Sequence, residues 1–103
     1  MDAQLKKGLL DTLVLATLRR GDSYGYKIVQ DLSYLLPISE STLYPVLRRL
    51  EEQGMVKTYN KEHNSRLRKY YQICQKGLNR LGEFVNEWQQ MQNIYNYIMG
   101  YQK

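Results

Sequence analysis

The chain has 103 residues, 43% hydrophobic and 24% charged, a composition that sets one globular domain and excludes a low-complexity or disordered class. Its net charge of +5 is unevenly placed: residues 1–56 carry seven basic and seven acidic side chains, whereas residues 57–80 carry Lys57, Lys61, Arg66, Arg68, Lys69, Lys76 and Arg80 against Glu62 alone. Such a local basic excess points to a polyanionic partner, and a segment alternating like strands lacks the apolar helical face that a membrane surface would take.

Leu5, Leu9, Leu13, Ala16 and Leu18 line a first helix, closed by Gly21. Within it, the apolar run Leu9–Leu18 is too short for a membrane span or a signal peptide, and Asp11 and Thr12 interrupt it. Asp22 or Ser23 can cap a second helix whose inward face is Tyr24, Ile28, Leu32 and Leu35, with Pro37 ending it. Ser39 or Ser41 then caps a third helix. Leu43, Val46, Leu47 and Leu50 recur there at i, i+3, i+4 and i+7 and build a core stripe. The opposite face offers Ser41, Thr42, Tyr44 and Arg48, short donors and acceptors followed by a cation, which suits a helix entering the major groove of DNA. Pro45 costs little if Ser41 is the cap and one hydrogen bond if Ser39 is. Arg48 is in reach of Glu51 and Glu52, and Arg49 of Glu52, so ion pairs along the helix compete with a DNA role for these arginines. Gly54 reads as a left-handed C-cap with Met55 folding back on the helix end.

After Gly54 the apolar period changes to two. Met55–Tyr59 and Arg68–Ile73 read as two strands, joined by a polar, basic stretch from Asn60 to Arg66. Of the adjacent Tyr70 and Tyr71, alternation turns one to the core and one outward. Three helices followed by a basic hairpin is the order of a winged helix-turn-helix, mainly α with a small β-hairpin, in which the third helix reads and the hairpin lies along phosphates. The remainder, from about Lys76 to Met99, is one long helix. Leu78, Val85, Gln92 and Met99 keep a seven-residue spacing, as do Leu81, Trp88 and Tyr95, and Phe84, Met91 and Ile98. At about 24 residues it is roughly 36 Å long, more than the preceding body can cover, so the exposed remainder predicts a second copy as partner. The expected organisation is therefore a winged DNA-binding domain over residues 1–75 and a dimerisation helix over 76–103, with Leu78, Leu81, Phe84, Val85, Trp88, Met91, Tyr95 and Ile98 at the interface.

The remaining chemistry is sparse. His63 and Cys74 do not make a metal site. One cysteine allows no internal disulfide and fits a reducing, cytoplasmic setting. No Gly-rich phosphate loop, paired-carboxylate site or nucleophile with a histidine base is present, so no enzyme activity and no cofactor are expected.

The elements Tyr24-Gly25-Tyr26-Lys27-Ile28, Ser41-Thr42-Leu43-Tyr44-Pro45-Val46-Leu47-Arg48-Arg49-Leu50-Glu51-Glu52-Gln53-Gly54 and Arg68-Lys69-Tyr70-Tyr71 resemble, in order and spacing, the PadR family of bacterial transcriptional regulators. The resemblance covers about residues 5 to 81. The Thr-Leu-Tyr-Pro element with Arg-Arg-Leu-Glu behind it is its specific part, and the single long C-terminal helix resembles the family's small-sized branch. It implies a homodimeric repressor that binds a palindromic double-stranded DNA operator and releases it when an effector binds. Ser41, Thr42, Tyr44 and Arg48 fall on the family's recognition helix, and Lys61, Arg66, Arg68 and Lys69 on its wing. The C-terminal helix, with help from the first, falls where the family dimerises. Trp88, with Met91 and Tyr95 beside it, falls where some relatives stack planar aromatic ligands between subunits; the alternative is a buried interface tryptophan. Asn64-Ser65-Arg66-Leu67 stands where the family's wing carries glycines, and Cys74 where a threonine caps the last helix. A second reading, a winged-helix module for protein assembly, is disfavoured by the basic wing and polar third helix; a third is a small-molecule-sequestering protein using the dimer cavity, with DNA binding secondary.

Overall fold

The expected order of elements is the observed one: α1 (Ala3–Arg19), α2 (Gly25–Leu32), α3 (Glu40–Glu52), β1 (Val56–His63), β2 (Arg66–Ile73) and α4 (Gln75–Met99). The computed structural model describes residues 3–101, with side chains from Gly8 onward, so the Leu5 side chain lies outside the described residues. Helix α1 buries Leu10, Val14, Leu15 and Leu18, while Leu9, Leu13 and Ala16 are only half-buried. Of the expected stripe, Leu18 is in the core and Leu13 and Ala16 pack against its edge. Leucine, valine or alanine occupies both sides of α1, and periodicity alone does not say which side meets the core.

Neither Asp22 nor Ser23 caps α2. Its N-cap is Tyr24, which makes no side-chain bond. Ser23 is instead a one-residue strand: its N–H donates to Tyr71 O at 3.2 Å, and Tyr71 N–H donates to Ser23 O at 2.7 Å. Helix α2 stops at Leu32, where the N–H groups of Leu35 and Leu36 both turn back to the Leu32 carbonyl. That turn leaves Leu35 exposed and puts Leu36 against the core, correcting the expected inward face.

Ser39 is the cap of α3, its Oγ accepting from Thr42 N–H at 3.2 Å. Pro45 is therefore the sixth helical residue, and the bond an N–H there would give the Ser41 carbonyl is lost. Packing holds the helix regardless: Leu43, Val46, Leu47 and Leu50 are all buried. At the far end Gly54 has φ +77°, its N–H donates to Glu51 O at 3.0 Å, and Met55 N–H donates to Leu50 O at 2.9 Å. This is a Schellman ending that only a left-handed residue completes. Arg49 does not pair with Glu52; it reaches across to Asp11 and ties α3 to α1. Glu51 faces Lys69 at 3.9 Å, and among the described residues Arg48 has no ion-pair partner.

The hairpin is longer than its sequence suggests. Strands β1 and β2 pair antiparallel from Val56↔Ile73 to His63↔Arg66, so Asn60 and Lys61 belong to a strand. The turn is only Asn64-Ser65, with φ of 52° and 64°. Positive φ at both central residues gives the type I′ geometry that matches strand twist, which glycine is not required to supply. Tyr71 faces the core, and Tyr70 lies on the other face as alternation requires. Tyr70 is nevertheless 8% exposed, because Tyr24 and Tyr59 close over it.

Helix α4 starts at Cys74, which makes no side-chain cap bond. Close packing replaces the cap: the Cys74 N–H donates to Met55 O at 2.9 Å, and buried Gly77 lies against Met55 and Ile73. Leu81, assigned by its heptad spacing to a partner surface, is 5% exposed within its own core. Spacing cannot separate the first turns of a helix, which close its own domain, from those that project beyond it. From Val85 to Tyr101 every residue is exposed, and the molecule is drawn out to 56 × 26 × 20 Å. No described helix is long and apolar enough to cross a membrane.

A methyl group added at Gly77 would lie 2.5 Å from the Met55 carbonyl oxygen and 2.7 Å from Ile73 Cγ1. Gly77→Ala is expected to lower stability by about 1–3 kcal/mol, the usual cost of overpacking, measured as an earlier urea midpoint. An unchanged midpoint would mean that the start of α4 can shift away freely.

Candidate nucleic-acid interface

The N-terminal end of α3 is a cluster of exposed hydroxyls. Ser39 Oγ lies 2.9 Å from Ser41 Oγ and 3.1 Å from Thr42 Oγ1. Ser41, Tyr44 and Arg48 follow one another along the exposed side of the helix, three and four residues apart, as the sequence places them. Tyr44 is held on both sides. Its hydroxyl donates to Glu40 Oε1 at 2.9 Å, and its ring lies so close to Gly25 that an added Cβ there would sit 2.6 Å from the hydroxyl oxygen. Glycine at the start of α2 thus makes room for the tyrosine of α3.

The four expected wing cations divide by strand face. Lys61 and Arg68 are cross-strand partners on the outer face, and Arg66 stands beside the turn opposite His63. Lys69 is on the other face, opposite Asn60, drawn toward Glu51. Lys57 shares the outer face with Lys61. It belongs to the basic run, but neither the motifs nor the resemblance singled it out.

The outer face is built on aromatic rings. Tyr24 meets Tyr70 edge-on at 5.3 Å and His63 at 5.6 Å, and Tyr59 stacks on Tyr70 at 5.6 Å. The Arg68 guanidinium sits 4.6 Å from the Tyr24 ring centroid and Lys61 Nζ 5.4 Å from that of Tyr70, both within cation–π range. Stacking orients these cations without neutralising them, so their charge stays available to an anion. Tyr59 also donates to Asp22 at 2.6 Å, which pins the wing to the turn after α1. The sequence reading missed this cluster because Tyr24 and Tyr70 are 46 residues apart and meet only through the Ser23–Tyr71 pairing.

Between α2, α3 and the wing lies a cleft of about 270 Å³. Tyr24 and Tyr26, Glu40 and Tyr44, and Arg66, Arg68 and Lys69 are among its walls. The fold thus brings one of the four expected recognition-helix residues together with three of the four expected wing cations. Ser41, Thr42 and Arg48 lie outside this cleft, on the exposed side of α3, and Lys61 lies on the outer wing face. Arg68 Nε is buried there, without a hydrogen-bond acceptor among the described residues.

Three tyrosine phenols are held above their ordinary pKa of 10.0. For Tyr44 and Tyr71 burial is the main cause, assisted by the Glu40 hydrogen bond in the first and by the Glu51 charge in the second. For Tyr59 the hydrogen bond to Asp22 leads. All three are therefore neutral donors across the physiological range.

On α4 the exposed positions include Leu78, Val85, Trp88, Met91, Tyr95 and Ile98, along with Ile94, which the heptad reading omitted. Phe84 is half-buried and stacks nearly parallel on Trp88, centroids 6.2 Å apart at 9°. Trp88 is 49% exposed.

A helix-turn-helix whose third helix carries a polar outer face, followed by a basic hairpin, defines the winged helix-turn-helix class. Residues 14–83 match the transcriptional regulator PadR-like family, and the chain belongs to that family, a family of regulators and not of enzymes. Among solved structures, the protein smu.1704 of Streptococcus mutans is 38% identical, with 92% of this chain and 91% of that one aligned at a TM-score of 0.82. A PadR family transcriptional regulator of Eggerthella lenta is 36% identical over 93% of this chain and 86% of that one, with a TM-score of 0.81. The fold alone is shared with Bacillus subtilis PadR in complex with operator DNA, at 22% identity and a TM-score of 0.69, over 75% of this chain and 46% of that one.

The raised phenol of Tyr71 has a defined consequence for stability. Above pH 10 the unfolded chain releases this proton more readily than the folded one, so the stabilisation present below pH 10 is lost as pH rises through the folded value. The melting temperature is expected to fall above pH 10, and Tyr71→Phe to make that fall shallower. An identical decline in the variant would mean that other groups carry it.

Proposed function

We propose that this protein is a dimeric repressor of transcription in the cytoplasm. On this reading residues 1–75 bind a palindromic operator, residues 76–103 form the dimer, and a small planar molecule regulates it. The observation that carries the DNA reading is the joint placement of α3 and the wing: hydroxyls of the reading helix stand beside a cleft walled by Arg66, Arg68 and Lys69. Ser41, Thr42, Tyr44 and Arg48 would meet base edges and adjacent phosphates. Lys61, Arg66, Arg68 and Lys69 would run along the backbone. The sharing of this fold with Bacillus subtilis PadR, whose structure is a complex with operator DNA, supports the reading.

Dimerisation rests on the uncovered length of α4. Leu78, Phe84, Val85, Trp88, Met91, Tyr95 and Ile98 form an apolar strip that the body of the chain leaves open, and the half-buried outer face of α1 (Leu9, Leu13, Ala16) offers a second strip nearby. Pairing the two copies removes both strips from water. It would also set two α3 helices roughly 34 Å apart, one turn of duplex. Two Trp88 rings across the seam, each backed by Phe84, would admit a flat apolar ligand, with Met91 and Tyr95 as neighbours. Such a ligand changes DNA affinity only by as much as it prefers one dimer geometry over another.

Three measurements test this. The protein should sediment as a dimer, and Met91→Glu with Ile98→Glu should sediment as a folded monomer; a dimer that survives both charges would place the interface elsewhere. Affinity for duplex DNA should fall steeply with salt, and Arg66→Ala should reduce the slope of log affinity against log salt by about one; salt-independent binding would remove the wing from the interface. A planar cationic dye should quench Trp88 fluorescence and, by calorimetry, bind Trp88→Ala at least ten-fold more weakly; equal affinity would leave Trp88 as interface packing only.

A further inference from the structure

The one acidic side chain in the first turn of α3 is Glu40, an exposed residue that also walls the cationic cleft beside Arg66, Arg68 and Lys69. A carboxylate at this place runs against the purpose of a surface that attracts phosphates. Stabilisation of the helix N-terminus accounts for an acidic residue here, but it does not require the carboxylate to be fixed. Glu40 is fixed. Its Oε1 accepts from Tyr44, and the Tyr44 ring is itself braced against Gly25. The remaining carboxylate oxygen has no hydrogen-bond or ion-pair partner among the described residues. The result is a positioned, negatively charged acceptor beside the hydroxyl cluster of the reading helix.

Base edges in the major groove differ in how they meet such a group. Guanine presents two acceptors and thymine one, and all of these repel a carboxylate. Adenine sets its N7 acceptor beside its amino group. Cytosine presents the N4 amino donor with no acceptor of its own next to it in the groove, and it is the base that acidic side chains pair with. We infer that Glu40 is a specificity-determining residue: it accepts from a cytosine N4 amino group at one position of each half-site and penalises duplexes that lack it. Discrimination by an unpaired charge against the wrong partner is a general device of specific interfaces. This inference rests on the DNA-binding reading above and adds to it a residue and a base.

The test is selection of duplexes from a randomised pool, with the full-length wild type and with Glu40→Gln, followed by affinities for the selected duplex and for an unrelated one. Glutamine keeps an acceptor for Tyr44 and removes the charge. Glu40→Ala, which removes the acceptor as well, is measured alongside. Wild type should yield a motif with a fixed cytosine in each half, and replacing that cytosine by thymine should weaken binding about ten-fold or more. Both variants should lose the preference at that position alone, keep the rest of the motif, and bind the unrelated duplex several-fold more tightly. The same motif with the same cytosine in wild type and both variants would overturn the inference while leaving DNA binding intact. A uniform gain of affinity for every duplex with no change of motif would overturn it too, reducing Glu40 to general repulsion. No enriched motif with wild type would remove the DNA-binding reading itself.

Discussion

Two backbone hydrogen bonds between Ser23 and Tyr71 join the helical part of this protein to its wing. The short segment between α1 and α2 meets β2 through this single antiparallel bridge, at the edge of the two-stranded hairpin. Because Ser23 is a strand residue, its side chain turns inward with Tyr71, while the next residue, Tyr24, falls on the opposite face beside Tyr70. A pairing shifted by one residue would exchange those faces, since side chains alternate along a strand. The Tyr24 stack, the orientation of Arg68 and the opening of α2 at Gly25 all follow from this one contact.

Gly25 leaves space for the Tyr44 ring, Tyr44 holds Glu40, and the cleft between them is closed by β2. Helix α3 is also fixed from behind, by four buried apolar side chains and by the Arg49–Asp11 pair to α1. That pair is only partly buried and adds little stability by itself; its value lies in orientation. Helix α1 thus contacts α3 on one side and carries a half-covered apolar face on the other.

The molecule divides its apolar surface unequally. The winged body is closed around Leu15, Leu18, Ile28, Leu43, Leu47 and Leu50, all essentially inaccessible. The outer part of α4 is open along its whole length, with isoleucine, methionine, tyrosine and tryptophan facing water. A lone helix of that composition is not stabilised by propensity alone. Its Schellman ending at Gly100, with Tyr101 N–H donating to Asn96 O at 2.9 Å, completes the helix end but buries none of that surface.

Much of this was legible in the sequence by itself. The order of elements, the core stripe of α3 and the left-handed cap at Gly54 all follow from local chemistry: periodicity and glycine's freedom at positive φ; the weak cap at Cys74 came from the family resemblance. The concentration of charge in the hairpin, and a long helix with more apolar surface than its body can cover, follow from counting. Tertiary structure decided what depends on residues far apart in the chain. It buried Leu10, Val14 and Leu15 deepest and left Leu13 and Ala16 at the edge of the core, because a helix apolar on two sides has no intrinsic inside. It took Ser23 from a helix cap to a strand, drew Leu81 into its own core, and buried Tyr70 under Tyr24 and Tyr59. It also fixed the carboxylate of Glu40, a residue that local pattern marks only as a favourable first-turn charge, because the ring that positions it is braced by a glycine from another helix.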